Sequence, residues 1–305
     1  MKKILISCLL FIGLFQGTVA QNDASFTQYM FNESIFNPAS ISISNTLNAS
    51  LVARQQWVGF DNAPASQMLN INTYLQQIFG GVGLNVIHDQ LGYERFLTIR
   101  GHYAFPVQLT EAAHLTFGLG AGVMSRTLDG TGLTYEDMND PNAYLGSETF
   151  TRPDFNFGME YVDSNLTAGF AVNHLYRSSR NAGIDYPPRH YYFYAKYRIM
   201  EVAEDIDIEP YILLKSSWRS TQLDINVIGY YDNTVWAGFS YRTGDAVAAM
   251  LGYYISPGIR VGYSYDYSVG VNRRYSGGSH EIMLLTTFGG FNKDKISPQT
   301  PRIFN

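Results

Sequence analysis

From Leu47 onward, apolar and polar residues alternate in short segments separated by turn residues, the period-2 pattern of strands with one apolar face. In the first segment Leu47, Leu51 and Ala53 fall on one side and Asn48, Ser50 and Arg54 on the other. The clearest segments are 114–126, 154–161, 166–174, 190–198, 206–215, 223–231, 235–242, 247–255, 259–268 and 280–288. Adding 47–56, 67–73, 82–88 and 94–104 brings the total to about fourteen strands, a number suited to an outer-membrane antiparallel β-barrel. Residues 21–45 break the pattern. Phe26, Tyr29, Met30, Phe31 and Phe36 follow no clear period and Asn37-Pro38 marks a turn, so this stretch predicts a non-strand N-terminal segment. Its aromatics are costly to leave in water, which predicts a plug or inner brace at the barrel mouth.

Ahead of that segment, Lys2 and Lys3, the apolar run from Ile4 to Phe15 and Thr18-Val19-Ala20 have the layout of a signal peptide over residues 1–20. The single cysteine, Cys8, precedes most of the apolar run, which does not suit lipid attachment there. No later stretch is apolar for long enough to make a membrane-spanning helix. The composition, with 15% aromatic residues, 23 tyrosines, 28 glycines and only 15% charged residues, fits aromatic girdles and lipid-facing strands. A net charge of −5 argues against nucleic acid as a partner.

Strand parity adds an orientation. An even count leaves both chain ends on the periplasmic side, with odd-numbered connections outside and longer. The odd-numbered connections 57–66, 127–153, 175–189 and 269–279 are indeed long, whereas 163–165, 232–233 and 256–258 are tight. A soluble β-sandwich also gives short alternating strands, but it has no reason to sort its loops in this way. The domains read as a leader (1–20), an N-terminal segment (21–45), a barrel (46–288) and a periplasmic tail (289–305).

Catalytic chemistry finds little footing. His88-Asp89 and Ser279-His280 are sequence neighbours on strands and point to opposite faces; His114 with Thr116 shares a face, where a hydroxyl is ordinarily structural. Gly80-Gly81-Val82-Gly83 has no lysine partner and precedes a strand, so it reads as a turn instead of a phosphate loop. The carboxylates of residues 201–209 read as a solvated charged turn. The expectation is a non-enzymatic chain with no catalytic set, no cofactor and no metal ligands. On the polar face of 114–126 glycine recurs at 118, 120 and 122, which means either room for a ligand or threaded segment or relief of crowding where a strand bends.

Barrel closure brings the first and last strands together, placing Arg54 and Glu281 on facing polar positions with Asp266 on the strand before. They are either a lumen ion pair that fixes the closing register or independent charges in a wet lumen. Tyr135, Tyr144, Arg177, Arg180, Tyr186, Arg273, Arg274 and Tyr275 fall on the long connections. They have the composition of a cargo-recognition rim, although lipopolysaccharide contact or plain solvation accounts for them equally well.

Several stretches resemble the PorP/SprF family of type IX secretion system membrane proteins: Phe26-Thr27-Gln28-Tyr29-Met30-Phe31-Asn32, Asn37-Pro38-Ala39, Arg54-Gln55-Gln56-Trp57-Val58-Gly59-Phe60 with Ala63-Pro64, Asp89 with Gly92, and Ser279-His280-Glu281-Ile282 with Leu284. Family members commonly follow Asn-Pro-Ala with Tyr-Ala-Gly; Ser40-Ile41-Ser42 stands here. The resemblance implies an outer-membrane barrel serving export, surface attachment or motor coupling of adhesin-like cargo with C-terminal sorting domains, in some cases in gliding bacteria. Its implied partners are outer-membrane lipid, secreted cargo and periplasmic secretion-system or peptidoglycan-linked components. A passive channel for small solutes is the rival expectation.

Overall fold

The computed structural model describes residues 23–41, 45–132, 146–176, 187–217, 220–270 and 276–289. In chain order its strands are β1 (Leu47–Gln55), β2 (Ala65–Leu75), β3 (Gly80–Leu91), β4 (Glu94–Gln108), β5 (His114–Asp129), β6 (Ser147–Val162), β7 (Leu166–Asn173) and β8 (His190–Tyr197). There follow β9 (Ile199–Ala203), β10 (Ile206–Ser216), β11 (Thr221–Tyr231), β12 (Val235–Arg242), β13 (Ala246–Ser256), β14 (Ile259–Ser268) and β15 (Ser279–Phe288). All pairings are antiparallel between successive staves, and β1 closes the ring on β15. Because β8 and β9 are two halves of one stave, both paired with β10, the result is a closed 14-stranded barrel.

The alternation in the sequence becomes two faces. On β12, Val235, Ala237, Phe239 and Tyr241 are exposed while Trp236, Gly238, Ser240 and Arg242 point inward and are buried. Outward apolar side chains such as Phe239 (70% exposed) and Leu119 (62%) suit contact with lipid and not with water. Exposed aromatics gather toward both rims, with Phe79, Tyr103, Tyr197, Tyr231 and Tyr253 near the short-turn rim and Phe60, Tyr93, Tyr241 and Tyr267 near the other. Such paired girdles mark the two membrane interfaces.

Several boundaries differ from those read in the sequence. The connection placed at 127–153 is shorter, because β5 and β6 stay paired out to Asp129 opposite Ser147. This hairpin projects beyond β7, whose pairing with β6 stops at Phe157 opposite Val172. Thr127 and Thr149 share a hydrogen bond across it at 2.9 Å on the outward face, which elsewhere is apolar, so the alternation that announces a strand is lost. Pro153 lies in the part of β6 beyond its β7 partner, where its missing N–H costs no ladder bond.

Gly80–Gly83, read as a turn, is the beginning of β3. A side chain at Gly80 would collide with the Tyr103 ring and the Ala104 carbonyl on β4, and one at Gly81 with Ile41. These glycines record close packing within a strand. The solvated turn placed at 201–209 is also revised: Ile199–Ala203 continues the eighth stave after a break at Arg198, and Asp207 and Glu209 both reach the Arg198 guanidinium, at 3.0 and 3.7 Å. That guanidinium lies 3.6 Å from the centre of the Tyr230 ring.

Candidate functional site

Residues 23–41 lie inside the ring of strands. The segment touches β1 and β2 through Asn32, β6 and β8 through Asn37, β11 through Tyr29 and β14 and β15 through Thr27. Contacts distributed around the whole circumference are possible only from within. The segment has no long helix, only two short 3-10 turns at Tyr29–Phe31 and Glu33–Ile35. Its shape is set by what it touches. Phe26, Tyr29, Met30, Phe31 and Phe36, the group whose lack of period marked the stretch as non-strand, are buried, and so is Ile35. Phe36 stacks on Tyr192 at 4.9 Å, Tyr29 meets Tyr211 edge-on at 5.4 Å and Phe31 packs on Trp236 at 4.4 Å. Pairs of this kind contribute about 0.5–1.5 kcal/mol each beyond their area.

At the seam, polar contacts fix the position of the segment. Arg54 and Glu281 are register partners across β1 and β15. Arg54 Nη2 lies 2.8 Å from Asp266 Oδ2, and Nη1 lies 3.4 Å from Glu281 Oε2. The shorter bonds to Glu281 come from the inner segment, whose Thr27 and Gln28 backbone N–H groups donate to its two oxygens at 2.7 and 2.8 Å. The Thr27 hydroxyl accepts from Arg54 Nη1 at 2.6 Å and donates to Asp266 at 2.7 Å. Arg242 joins from β12, 3.5 Å from Asp266 and 2.9 Å from Asp245. Glu281 and Asp266 are almost wholly buried, so each acceptor is committed to these donors.

On the opposite wall, β5 and β6 supply room for the segment's backbone. A side chain at Gly118 on β5 would run into the backbone of Pro38 and Ala39, and one at Gly158 on β6 into the Asn37 side chain. Asn37 Nδ2 donates to the Tyr194 hydroxyl at 2.8 Å and to the Met159 carbonyl at 3.1 Å, while its Oδ1 accepts from the Ala39 N–H at 2.9 Å. Glu33 pairs with Lys196 on β8 at 2.5 Å. Burial pushes the Glu33 carboxyl up, and the Lys196 ammonium opposes that rise.

The leading end of the segment reaches the long-connection rim. Asp23 Oδ1 lies 2.7 Å from His174 Nε2, the Tyr192 hydroxyl donates to Oδ2 at 2.7 Å, and His190 Nδ1 is 3.5 Å from Oδ2. His174 Nδ1 in turn lies 2.9 Å from Asp154 Oδ1. Burial disfavours charge on His174, yet a carboxylate at each ring nitrogen raises its pKa to about 9. Above Asp23 and Phe26 opens a recess of about 1330 Å³, part of it solvent, walled by Phe96, Arg100, Met124, Arg126, Phe150 and Lys215 among others.

The residues singled out in the sequence fall in three places. Gln28, Tyr29, Asn37 and Pro38 lie inside with Arg54, Asp266 and Glu281. Trp57, Gly59, Phe60 and Pro64 form the β1–β2 connection at the rim. Trp57 and Gly59 there adopt positive φ (45° and 96°), the Trp57 N–H donates to Ser279 Oγ at 3.2 Å, and Phe60 is exposed. His280 points outward, bonded to the Tyr263 hydroxyl at 2.7 Å and edge-on to Tyr265. Tyr135, Tyr144, Arg177, Arg180, Tyr186, Arg273, Arg274 and Tyr275 lie outside the described residues, as do the leader and residues 290–305. Asp23, His174, His190 and Arg242 were assigned no role from the sequence, and Thr27 stood only as part of the family motif. The nearness of His174 and His190 was available in principle, since Asn173 and His190 are register partners across a long connection.

The profile of the family described as type IX secretion system membrane protein PorP/SprF matches residues 18–285. No curated protein sequence matches the chain. Among solved structures, the chain is similar to the CymD monoaromatic hydrocarbon channel, with TM-score 0.52 and 12% identity over 90% of this chain and 95% of that one. It is also similar to the Ralstonia pickettii toluene transporter TbuX, with TM-score 0.50 and 11% identity over 89% and 95%. At such identities the likeness is one of barrel fold.

Proposed function

Since the chain belongs to the PorP/SprF family of type IX secretion system membrane proteins, we propose that it is a non-enzymatic outer-membrane scaffold. In this reading it supports export, surface attachment or motor coupling of adhesin-like cargo carrying C-terminal sorting domains. The observation that carries the reading beyond the family is the occupied lumen. Residues 23–41 are anchored to opposite walls of the barrel, an arrangement that favours a rigid platform over a diffusive path for solutes.

On this reading the long-connection rim faces outward and holds cargo, with Tyr135, Tyr144, Arg177, Arg180, Tyr186, Arg273, Arg274 and Tyr275 as its candidate contacts. Both strand-bearing ends of the barrel domain, Leu47 and Phe288, then lie at the periplasmic rim, where the short turns and residues 289–305 are available to secretion-system or peptidoglycan-linked components. The test replaces Asp129–Ser147 by a tight turn in the native bacterium. Barrel insertion should persist while surface display of sorting-domain cargo falls. Unchanged display removes this loop from the reading, and solute-specific conductance of the wild-type barrel in planar bilayers favours a channel instead.

A further inference from the structure

Three side chains from separate parts of the chain converge at the leading end of the inner segment. The ligating atoms of Asp23, His174 and His190 all lie within 4.8 Å of one another. Asp23 opens the described part of the segment, His174 follows the last residue of β7 and His190 begins β8. His190 is wholly buried, and neither of its ring nitrogens has a hydrogen-bond partner among the described residues. A neutral imidazole always carries one N–H donor and one lone pair, and burying both without partners is unfavourable unless something else binds them. Its Nδ1 is turned toward Asp23 Oδ2 at 3.5 Å, so the unpaired atom is aimed into the cluster.

We infer that Asp23, His174 and His190 form a binding site for a divalent transition cation of the zinc type. Two imidazoles with one carboxylate select a borderline cation over calcium or magnesium, which take oxygen ligands. The surroundings are those of a metal site. Asp154 accepts from His174 Nδ1, which leaves Nε2 as the atom facing Asp23 and matches the carboxylate–histidine–metal arrangement that orients a ligating imidazole. The Tyr192 hydroxyl on Asp23 Oδ2 holds the carboxylate in the same manner.

Two ligands on one tetrahedral cation at about 2.0–2.1 Å stand roughly 3.4 Å apart. The His190–Asp23 separation of 3.5 Å already fits this. The 2.7 Å between His174 Nε2 and Asp23 Oδ1 must widen as the cation replaces the proton between them. Asp23, whose side chain is 20% exposed, is the group free to make that adjustment, and it borders the solvent-open recess by which a cation enters and water completes the coordination. Binding ties the segment to β7 and β8 and so latches the leading end of the plug.

The test uses the tag-free mature chain purified from outer membrane in detergent and stripped with EDTA. It is titrated with zinc chloride by calorimetry and with cobalt chloride by visible absorption. Wild type should bind one equivalent and show the strong visible bands of tetrahedral cobalt. Asp23→Asn and His190→Gln should each weaken binding by at least about tenfold, and Asp154→Asn by about 10- to 100-fold. Should His190→Gln not fold, Asp23→Asn at the partly exposed site decides. Failure of wild type to take up either metal, or variants that bind like wild type, would overturn the assignment and leave a proton-mediated cluster in its place.

Discussion

The two walls that grip the inner segment do so by opposite means. On the seam side, β1, β14 and β15 present Arg54, Asp266 and Glu281, which hold Thr27 and Gln28 through directed hydrogen bonds. On the far side, β5 and β6 present glycines, and Asn37 to Ala39 fit where side chains are missing. A charged clasp specifies register, because a one-residue slip would separate donors from acceptors. A glycine groove specifies shape, because it admits backbone where any Cβ would collide. Together they place a segment that has almost no secondary structure of its own.

The comparison breaks most visibly at its most connected acid. Asp266→Ala leaves Arg54 and Arg242 buried with fewer counter-charges and should cost about 3–5 kcal/mol in urea unfolding from lipid vesicles. Next in size is Gly118→Val, which should cost about 1–3 kcal/mol and loosen the Asn37–Ala39 end while leaving Thr27 and Gln28 in place. Ala121→Val, on the outward face of the same strand, is the control and should fall within about 0.5 kcal/mol of wild type. A Gly118→Val barrel as stable as this control would remove the groove from the account.

A smaller effect separates the members of the clasp. Glu281→Gln keeps the size and one acceptor and should cost on the order of 1–3 kcal/mol, chiefly through the Thr27 and Gln28 N–H groups. In double-mutant cycles with Arg54→Ala, the coupling to Asp266 at 2.8 Å should exceed the coupling to Glu281 at 3.4 Å. Equal couplings would mean that Glu281 serves the seam more than the segment. Smallest is His280→Leu on the lipid side, expected to shift stability by less than about 1 kcal/mol and to leave the clasp couplings untouched.

The barrel was legible because a lipid face and a wet face impose a period of two, and that period needs no knowledge of partners. The same rule set Arg54 and Glu281 on one face of strands that closure makes adjacent. It fell silent wherever both faces have the same environment, as in the protruding β5–β6 hairpin and in Ile199–Ala203, all of whose residues are exposed. The inner segment could be recognised by its aromatics but not traced, since its path depends on contacts with staves far away in sequence. Gly118 posed a question that only the path of Pro38 and Ala39 answers, since it makes room for the threaded backbone, whereas Gly120 faces the Asn156 and His102 side chains of the neighbouring strands. Asp23, His174 and His190 were given no role for the same reason: none has a ligand-like neighbour in the sequence, and the chain brings them together only after the barrel has closed around residue 23.

The central claim is that residues 23–41 form an ordered core of the closed barrel. Amide hydrogen exchange on the purified protein, read residue by residue, tests it most directly. The account predicts that the Thr27 and Gln28 amides, donated to Glu281, and the Ala39 amide, donated to Asn37, exchange as slowly as the strand amides of β1 and β15. Exchange throughout the segment at the rate of an unstructured peptide, with the strands protected, would contradict it.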